Sequence, residues 1–350
     1  MPNKIIAAVK QAKELKKPLR IVGGNSKHFY GRRIEGQILN VADYKGIVSY
    51  EPTELVITAR CGTPLTEIEA VLAEQNQILS FEPPHFADTA TLGGMIACGL
   101  SGPARAYTGS VRDFVLGVRM INGHAEDLTF GGQVMKNVAG FDVSRLTTGS
   151  LGTLGAILEA SLKLAPKPET EFTIQLERDQ QQAISLMNKL AGQATPLSAA
   201  CYEQGKLNLR LSGFAGAIES AHKSIGGELL ENDLDYWRSI KEQQHSFFSE
   251  TSSALWRIAV PPATEHIDLN GEYMFDWGGA QRWYRTDLSA EKIRQVVHAN
   301  KGHATLFRNE KNATEIFSPL STEVKKIHQR LKKSFDPEGI FNIGKMYQDL

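Results

Sequence analysis

The chain has 350 residues, 41% hydrophobic and 22% charged, the proportions of an ordinary globular protein and not of a disordered or fibrous one. Its 39 basic and 39 acidic residues cancel, so no global field draws it to nucleic acid or to an anionic membrane. The 3 cysteines, Cys61, Cys98 and Cys201, lack any C-x-x-C spacing, which argues against a disulfide framework, a zinc site or an iron–sulfur cluster held by this chain alone and fits a reducing cytoplasm.

The opening run MPNKIIAAVKQAKELKKPLR sets Ile5, Ile6, Val9, Ala12 and Leu15 at helical spacing, with lysines throughout and no small-residue cleavage site, and predicts an ordinary first helix. LRIV (19–22) reads as a strand that runs into Gly23, Gly24, Asn25, Ser26 and Lys27. Successive main-chain N–H groups in such a turn form a concavity for an anion such as a diphosphate, although strand-to-turn glycine pairs are common. ILNV and ELVITARC predict two more strands, and Thr63-Pro64 opens a helix with Leu65, Ile68, Val71 and Leu72 on one face and Thr63 as its N-cap.

From Glu82 to Gly155 glycine recurs in clusters, a sign of unusual backbone or of close contact with something. EPPHFADTATLGGMIACGLSGP (82–103) suits a flat, largely apolar ligand whose polar edge meets main-chain amides; a tightly packed turn and helix start explains it equally well. GQVMKNVAGFDVSRLTTGSLGTLGAILEASLKLAP (132–166) has G-x-x-G-x-x-G before a strand, not the G-x-G-x-x-G and crossover helix of a nicotinamide domain. Its stretch Leu146–Ala165 carries Glu159, Lys163 and glycines and fails as a membrane-spanning helix.

Beyond Pro166-Lys167-Pro168 the glycines thin out and a domain boundary is expected. Strand TIQLER, helix QQAISLMNKLAG, strand LNLRLSG and helix AIESAHKSIGG follow, and SFFSETSSALWRIAV reads as half-buried core strand in preference to a partner surface. His298 and His303, five apart in a polar stretch, read as structural residues and not as metal ligands. The chain closes with the helix TEVKKIHQRLKKSF, whose basic face reads as solvated, and the tail DPEGIFNIGKMYQDL. GIFNIGK fits G-x-x-x-x-G-K, but Met346 stands where a nucleotide-binding loop needs Ser or Thr.

The three glycine segments, in this order and at these distances, resemble the FAD-binding domain of the vanillyl-alcohol oxidase type, also called PCMH-type, over residues 1–168. DPEGIFNIGKM resembles the D-P-x-G-x-x-N-P-G-K tail of its FAD-linked oxidase members, with Ile343 replacing proline. The runs NSKHFYGR, YEPTELVITARCGTPL, EPPHFADTATLGGMIACGLSGP, GSVRDFVLG and DWGGAQRW are similar to those of the FAD-binding subunits of bacterial glycolate oxidases. The resemblance implies an α+β fold: a PCMH-type FAD-binding domain of two subdomains over 1–168, a smaller α+β cap or substrate-like domain over 169–330, and a C-terminal segment, 331–350, that returns to the FAD domain.

It also implies site residues. Gly23, Gly24, Asn25, Ser26 and Lys27 would form the first pyrophosphate loop. Pro84, Thr91, Leu92, Gly93, Gly94 and Ala97 would lie along the diphosphate and the ring, with Gly99 and Gly102 holding the next turn. Gly149, Gly152, Gly155 and Ile157 would pack the flavin and adenine from the other side, where side chains would occupy the cofactor's space. Asn25 stands where relatives that attach flavin covalently carry histidine, so the resemblance implies non-covalent FAD, with His85 in plain ring contact.

The H-x-G-D-G-N-x-H and E-H-G motifs that larger 2-hydroxy-acid dehydrogenases of the family use for a metal and a catalytic histidine are absent from this sequence, so no metal is expected. The implied activity is that of a subunit of a glycolate oxidase complex, oxidising glycolate to glyoxylate and passing electrons through flavin to a larger FAD-linked subunit and an iron–sulfur subunit. The implied location is the cytoplasm or, through partners, the inner face of the cell membrane. The rival readings are a self-sufficient FAD-linked dehydrogenase of another small 2-hydroxy acid and a non-catalytic flavin-binding subunit. No catalytic base stands out: Arg105, Arg112, Lys136 and Asp142 lie among the glycine clusters, where surface ion pairs explain them equally well.

Overall fold

The computed structural model describes residues 1–132, 142–249, 253–308 and 315–350. The first helix, Pro2–Leu15, buries Ile5, Val9 and Ala12 and stops at Lys16, whose φ of 49° is left-handed. Leu19–Val22 pairs in parallel with Gln37–Asn40. On its other side it meets the C-terminal tail, Leu19 N–H donating to Ile340 O at 2.7 Å and Asn342 N–H to Leu19 O at 3.0 Å.

Ile47–Glu51, Val56–Arg60, Ala156–Lys163, Val115–Ile121 and Asp127–Gly131 form, in that order, a 5-stranded sheet, antiparallel throughout. Ile57, Val118, Ile157 and Leu162 face Ile68 and Leu72 of helix Leu65–Glu74 and Leu92 and Met95 of helix Leu92–Cys98, giving one core. The expected cap of helix Leu65–Glu74 is different: Pro64 is its N-cap. Thr63 Oγ1 instead donates to Arg60 O at 2.7 Å and accepts from Gly46 N–H at 2.8 Å. The hydroxyl ties two strand ends together, a bond that its place before Pro64 does not reveal.

An 8-stranded sheet follows in the order Glu228–Leu229, Thr170–Glu177, Lys206–Gly213, Leu197–Glu203, Glu272–Asp276, Gln281–Arg285, Leu255–Ala259, His303–Arg308. Side chains alternate across a strand. Along Leu197–Glu203, Ala200 and Tyr202 therefore join Ile184, Met187, Ile218 and Val297 from the helices on one face. Ala199 and Cys201 point the other way, into a cluster with Trp237, Ile240, Met274, Trp283 and Phe307 that also holds Tyr30, Leu100 and Leu151 of the N-terminal half. That shared cluster is the seam between the two sheets.

The helix expected near the C-terminus spans Thr322–Phe335, yet none of its residues is buried. Leu255, Trp256 and Ile258 of LWRIAV are buried in the 8-stranded sheet, as a core strand requires. Lys136 and Gly140 lie outside the described residues.

Candidate functional site

Strand Leu19–Val22 delivers the Gly23–Lys27 turn to the edge of a cavity of about 360 Å³. Among the described residues, the main-chain N–H groups of Gly23, Gly24, Asn25 and Ser26 donate to no protein acceptor. These residues are half-exposed to exposed, and a row of free N–H groups lining a cavity is a place for an anion. Thr89 Oγ1 donates to Gly24 O at 2.6 Å and fixes the turn. Packed against the turn, Thr91 caps helix Leu92–Cys98, its Oγ1 accepting from Gly94 N–H at 3.3 Å.

The turn stays bare for the protein's own reasons first. A Cβ on Gly24 would lie 1.4 Å from Thr89 O, and one on Gly152, whose φ is +72°, would lie 2.7 Å from Asn342 Nδ2. The expectation was that the cofactor excludes side chains at Gly149, Gly152 and Gly155; a Cβ on Gly155 would lie 2.4 Å from Ile121 O and one on Gly152 meets the Asn342 side chain, so packing within the protein already excludes them there, whereas one on Gly149 meets nothing within 4 Å.

Two lysines give the cavity its charge. Lys27 is buried, with Nζ donating to His85 O at 3.2 Å, and burial lowers its pKa. Lys345 from the tail lines the same space, its pKa again lowered by burial. Cys98 sits between their fields: burial pushes its thiol up to about 11 although both lysines pull the other way, so it is an unreactive neutral wall. Arg20 and Arg33 add further positive charge, and Ile21, Val22, Val41 and Leu151 supply apolar surface.

The cavity gathers Gly23, Gly24, Asn25, Ser26, Lys27, Thr91, Gly93, Gly94, Ala97, Gly152, Gly155 and Ile157 of the expected residues. Leu92 is instead part of the core, and Gly99 and Gly149 pack on each other, where a Cβ on Gly99 would lie 3.1 Å from Gly149 Cα. Pro84 and Gly102 line a separate, smaller cavity at the seam. The His85 ring turns to Glu69, with Nε2 and Oε1 3.2 Å apart. Arg105 stacks on the Trp277 ring at 4.3 Å, Asp142 caps the turn Val143–Leu146, and Arg112 is exposed.

Residues that sequence reasoning left out complete the walls, above all Asn342 and Tyr30. Asn342 Oδ1 accepts from Ile21 N–H at 2.9 Å and its Nδ2 donates to Leu151 O at 2.6 Å, so one amide holds two walls together. Its place in the D-P-x-G-x-x-N tail was the available signal. Free main-chain amides, flanking cations and apolar side chains in a space of this size fit a dinucleotide cofactor with a diphosphate at its middle and flat rings at its ends.

Comparison with known proteins agrees with this fit. The model of the FAD binding domain family matches residues 2–145. The chain is 46% identical to glycolate oxidase subunit GlcE of Escherichia coli (strain K12), over 99% of this chain and 97% of that protein. It is 32% identical to glycolate oxidase subunit GlcD of Bacillus subtilis (strain 168), over 40% of this chain and 29% of that one. A solved structure of alkyldihydroxyacetonephosphate synthase superposes with a TM-score of 0.64 at 13% identity, covering 97% of this chain and 73% of that one, and so shares its fold. With nearly half its residues identical along the full length of both proteins, the chain belongs to the GlcE family of FAD-binding glycolate oxidase subunits.

Proposed function

We propose that the chain is the FAD-binding subunit of a glycolate oxidase, an oxidoreductase acting on the CH–OH group of a 2-hydroxy acid, and takes part in turning glycolate into glyoxylate. One observation carries the reading: the identity to E. coli GlcE spans 99% of the chain, so it includes the glycine turn, the helix capped by Thr91 and the tail that together wall the cavity. In this reading residues 1–168 with 331–350 hold FAD, and 169–330 cover it.

Bound FAD supplies a two-electron acceptor for hydride. The chain's own part is to bind and orient it. The free amides of Gly23–Ser26 would hold the diphosphate, with Lys27 and Lys345 as nearby countercharges. Asn25 offers an amide and not an imidazole for a covalent link, so FAD is held non-covalently.

The complex contains a larger FAD-linked subunit of the GlcD type and an iron–sulfur subunit that takes the electrons onward. Three separated cysteines without C-x-x-C spacing suit a chain that leaves the cluster to a companion. No helix among the described residues is long and apolar enough to cross a membrane, and attachment to one runs through partners. The test is glycolate-dependent dye reduction by the two companion subunits assembled with and without this chain. Turnover is expected only with it; full turnover without it overturns the reading.

A further inference from the structure

The run DWGGAQRW has no part in the large cavity, and it builds one wall of a second cavity, of about 30 Å³, at the seam between the two halves. Strands Glu272–Asp276 and Gln281–Arg285 are joined there by Trp277, Gly278 and Gly279 at φ of 53°, 66° and 92°. The Trp277 indole N–H donates to Gly102 O at 2.9 Å and docks the hairpin on the glycine segment of the other half. Asp276 and Gln281 face the cavity, Gln281 Nε2 donating to Asp276 Oδ2 at 3.2 Å.

Arg257 enters from the next strand, Leu255–Ala259. It is half-buried, donates from Nη2 to Tyr30 OH at 3.1 Å, and lies 5.7 and 5.5 Å from the Tyr30 and Phe307 ring centroids. Among the described residues it has no carboxylate within ion-pair distance, whereas Arg210 has both Glu82 and Glu171. A partly desolvated guanidinium with donors to spare is the shape and charge that a carboxylate matches. Lys241, paired with Glu242 at 3.2 Å, adds a second cation to the lining.

Tyr30 also lines the large cavity, so the Tyr30–Arg257 bond is a shared wall and puts the small cavity beside the cofactor's space. A volume of 30 Å³ has room for about two water molecules, which the two oxygens of one carboxylate would replace.

We propose that Arg257 holds the carboxylate end of a two-carbon 2-hydroxy acid at this cavity. The proposal rests on the glycolate oxidase reading and deepens it, because it puts an acid-binding site on this chain as well as on any companion.

The experiment is titration of the full chain, loaded with FAD, with glycolate and with its uncharged amide, glycolamide, followed by calorimetry and by the perturbation of the flavin absorption band. Glycolate is expected to bind saturably and glycolamide, which lacks the carboxylate, not to bind. Arg257→Met is expected to weaken glycolate by at least about tenfold, with FAD content unchanged. Arg257→Lys, which keeps the charge and loses the fork, is expected to weaken it by less, and it carries the test if the methionine variant does not fold. A flavin-loaded chain that ignores glycolate, or an Arg257→Lys variant that binds it like the wild type, overturns the proposal while leaving the FAD reading intact. A chain that takes up no FAD overturns the FAD reading itself.

Discussion

Gly24 and Asp276 show how much of this protein turns on single side chains. Because Thr89 O occupies the place of a Cβ at Gly24, alanine there must displace the turn or the Thr89 segment, a strain of about 1–3 kcal/mol. Gly24→Ala is expected to lower the melting temperature and reduce bound flavin per chain, read from the ratio of visible to ultraviolet absorbance. Asp276 has a different signature. Burial pushes its carboxyl up to about 7, against the pull of Trp277 N–H, Gln281 and Arg210, with Glu82 adding to the rise. The folded protein therefore keeps a proton that the unfolded chain, at about 3.9, has lost. This stabilisation is complete below about pH 4 and is lost as pH rises through about 7, at up to ~1.4 kcal/mol per pH unit. Asp276→Asn is expected to flatten the pH dependence of urea unfolding between those limits.

At the scale of elements, the C-terminal tail is the clasp of the large cavity. Asp336 is buried and accepts from Ile340 N–H at 3.0 Å, Phe341 N–H at 2.8 Å and Lys332 Nζ at 2.7 Å. Lys332 Nζ reaches on to Thr153 O and Phe341 O, both at 2.8 Å. Removing one partner of such a buried pair costs about 3–5 kcal/mol, so Asp336→Ala is expected to lose stability of that order in urea unfolding. Asn342→Ala is expected to weaken FAD by about tenfold in a binding titration, since loss of its amide leaves Ile21 N–H and Leu151 O unpaired. These elements also mark the limits of sequence reading. Helix Thr322–Phe335 and strand Ala156–Lys163 were legible because periodicity and glycine breaks are local. Strands Leu197–Glu203 and Glu272–Asp276 were not, because they pair with each other from far apart in the chain; Ile47–Glu51 was not, because it is an edge strand with no buried residue to give it an alternating pattern. The glycine walls of the cavity could be read from the sequence; the bond from Asn342 to Ile21, 321 residues away, and the reason each glycine is bare could not.

Across the whole molecule, the two sheets meet in one seam of aromatic and aliphatic side chains, and both cavities open beside it. Glu242 reinforces that seam, its Oε2 accepting from His85 N–H at 2.9 Å and Phe86 N–H at 2.8 Å. The halves are thus held in register beside the large cavity, a space that, among the described residues, is lined by the N-terminal half and the C-terminal tail. The central claim is that this space holds FAD, without a covalent bond, against bare main chain. It is tested most directly by the visible absorbance spectrum of the freshly purified full chain, taken before and after acid precipitation. A flavin spectrum that passes wholly into the supernatant is predicted; a folded chain that is colourless and refuses added FAD, or a chromophore that stays in the pellet, would contradict it.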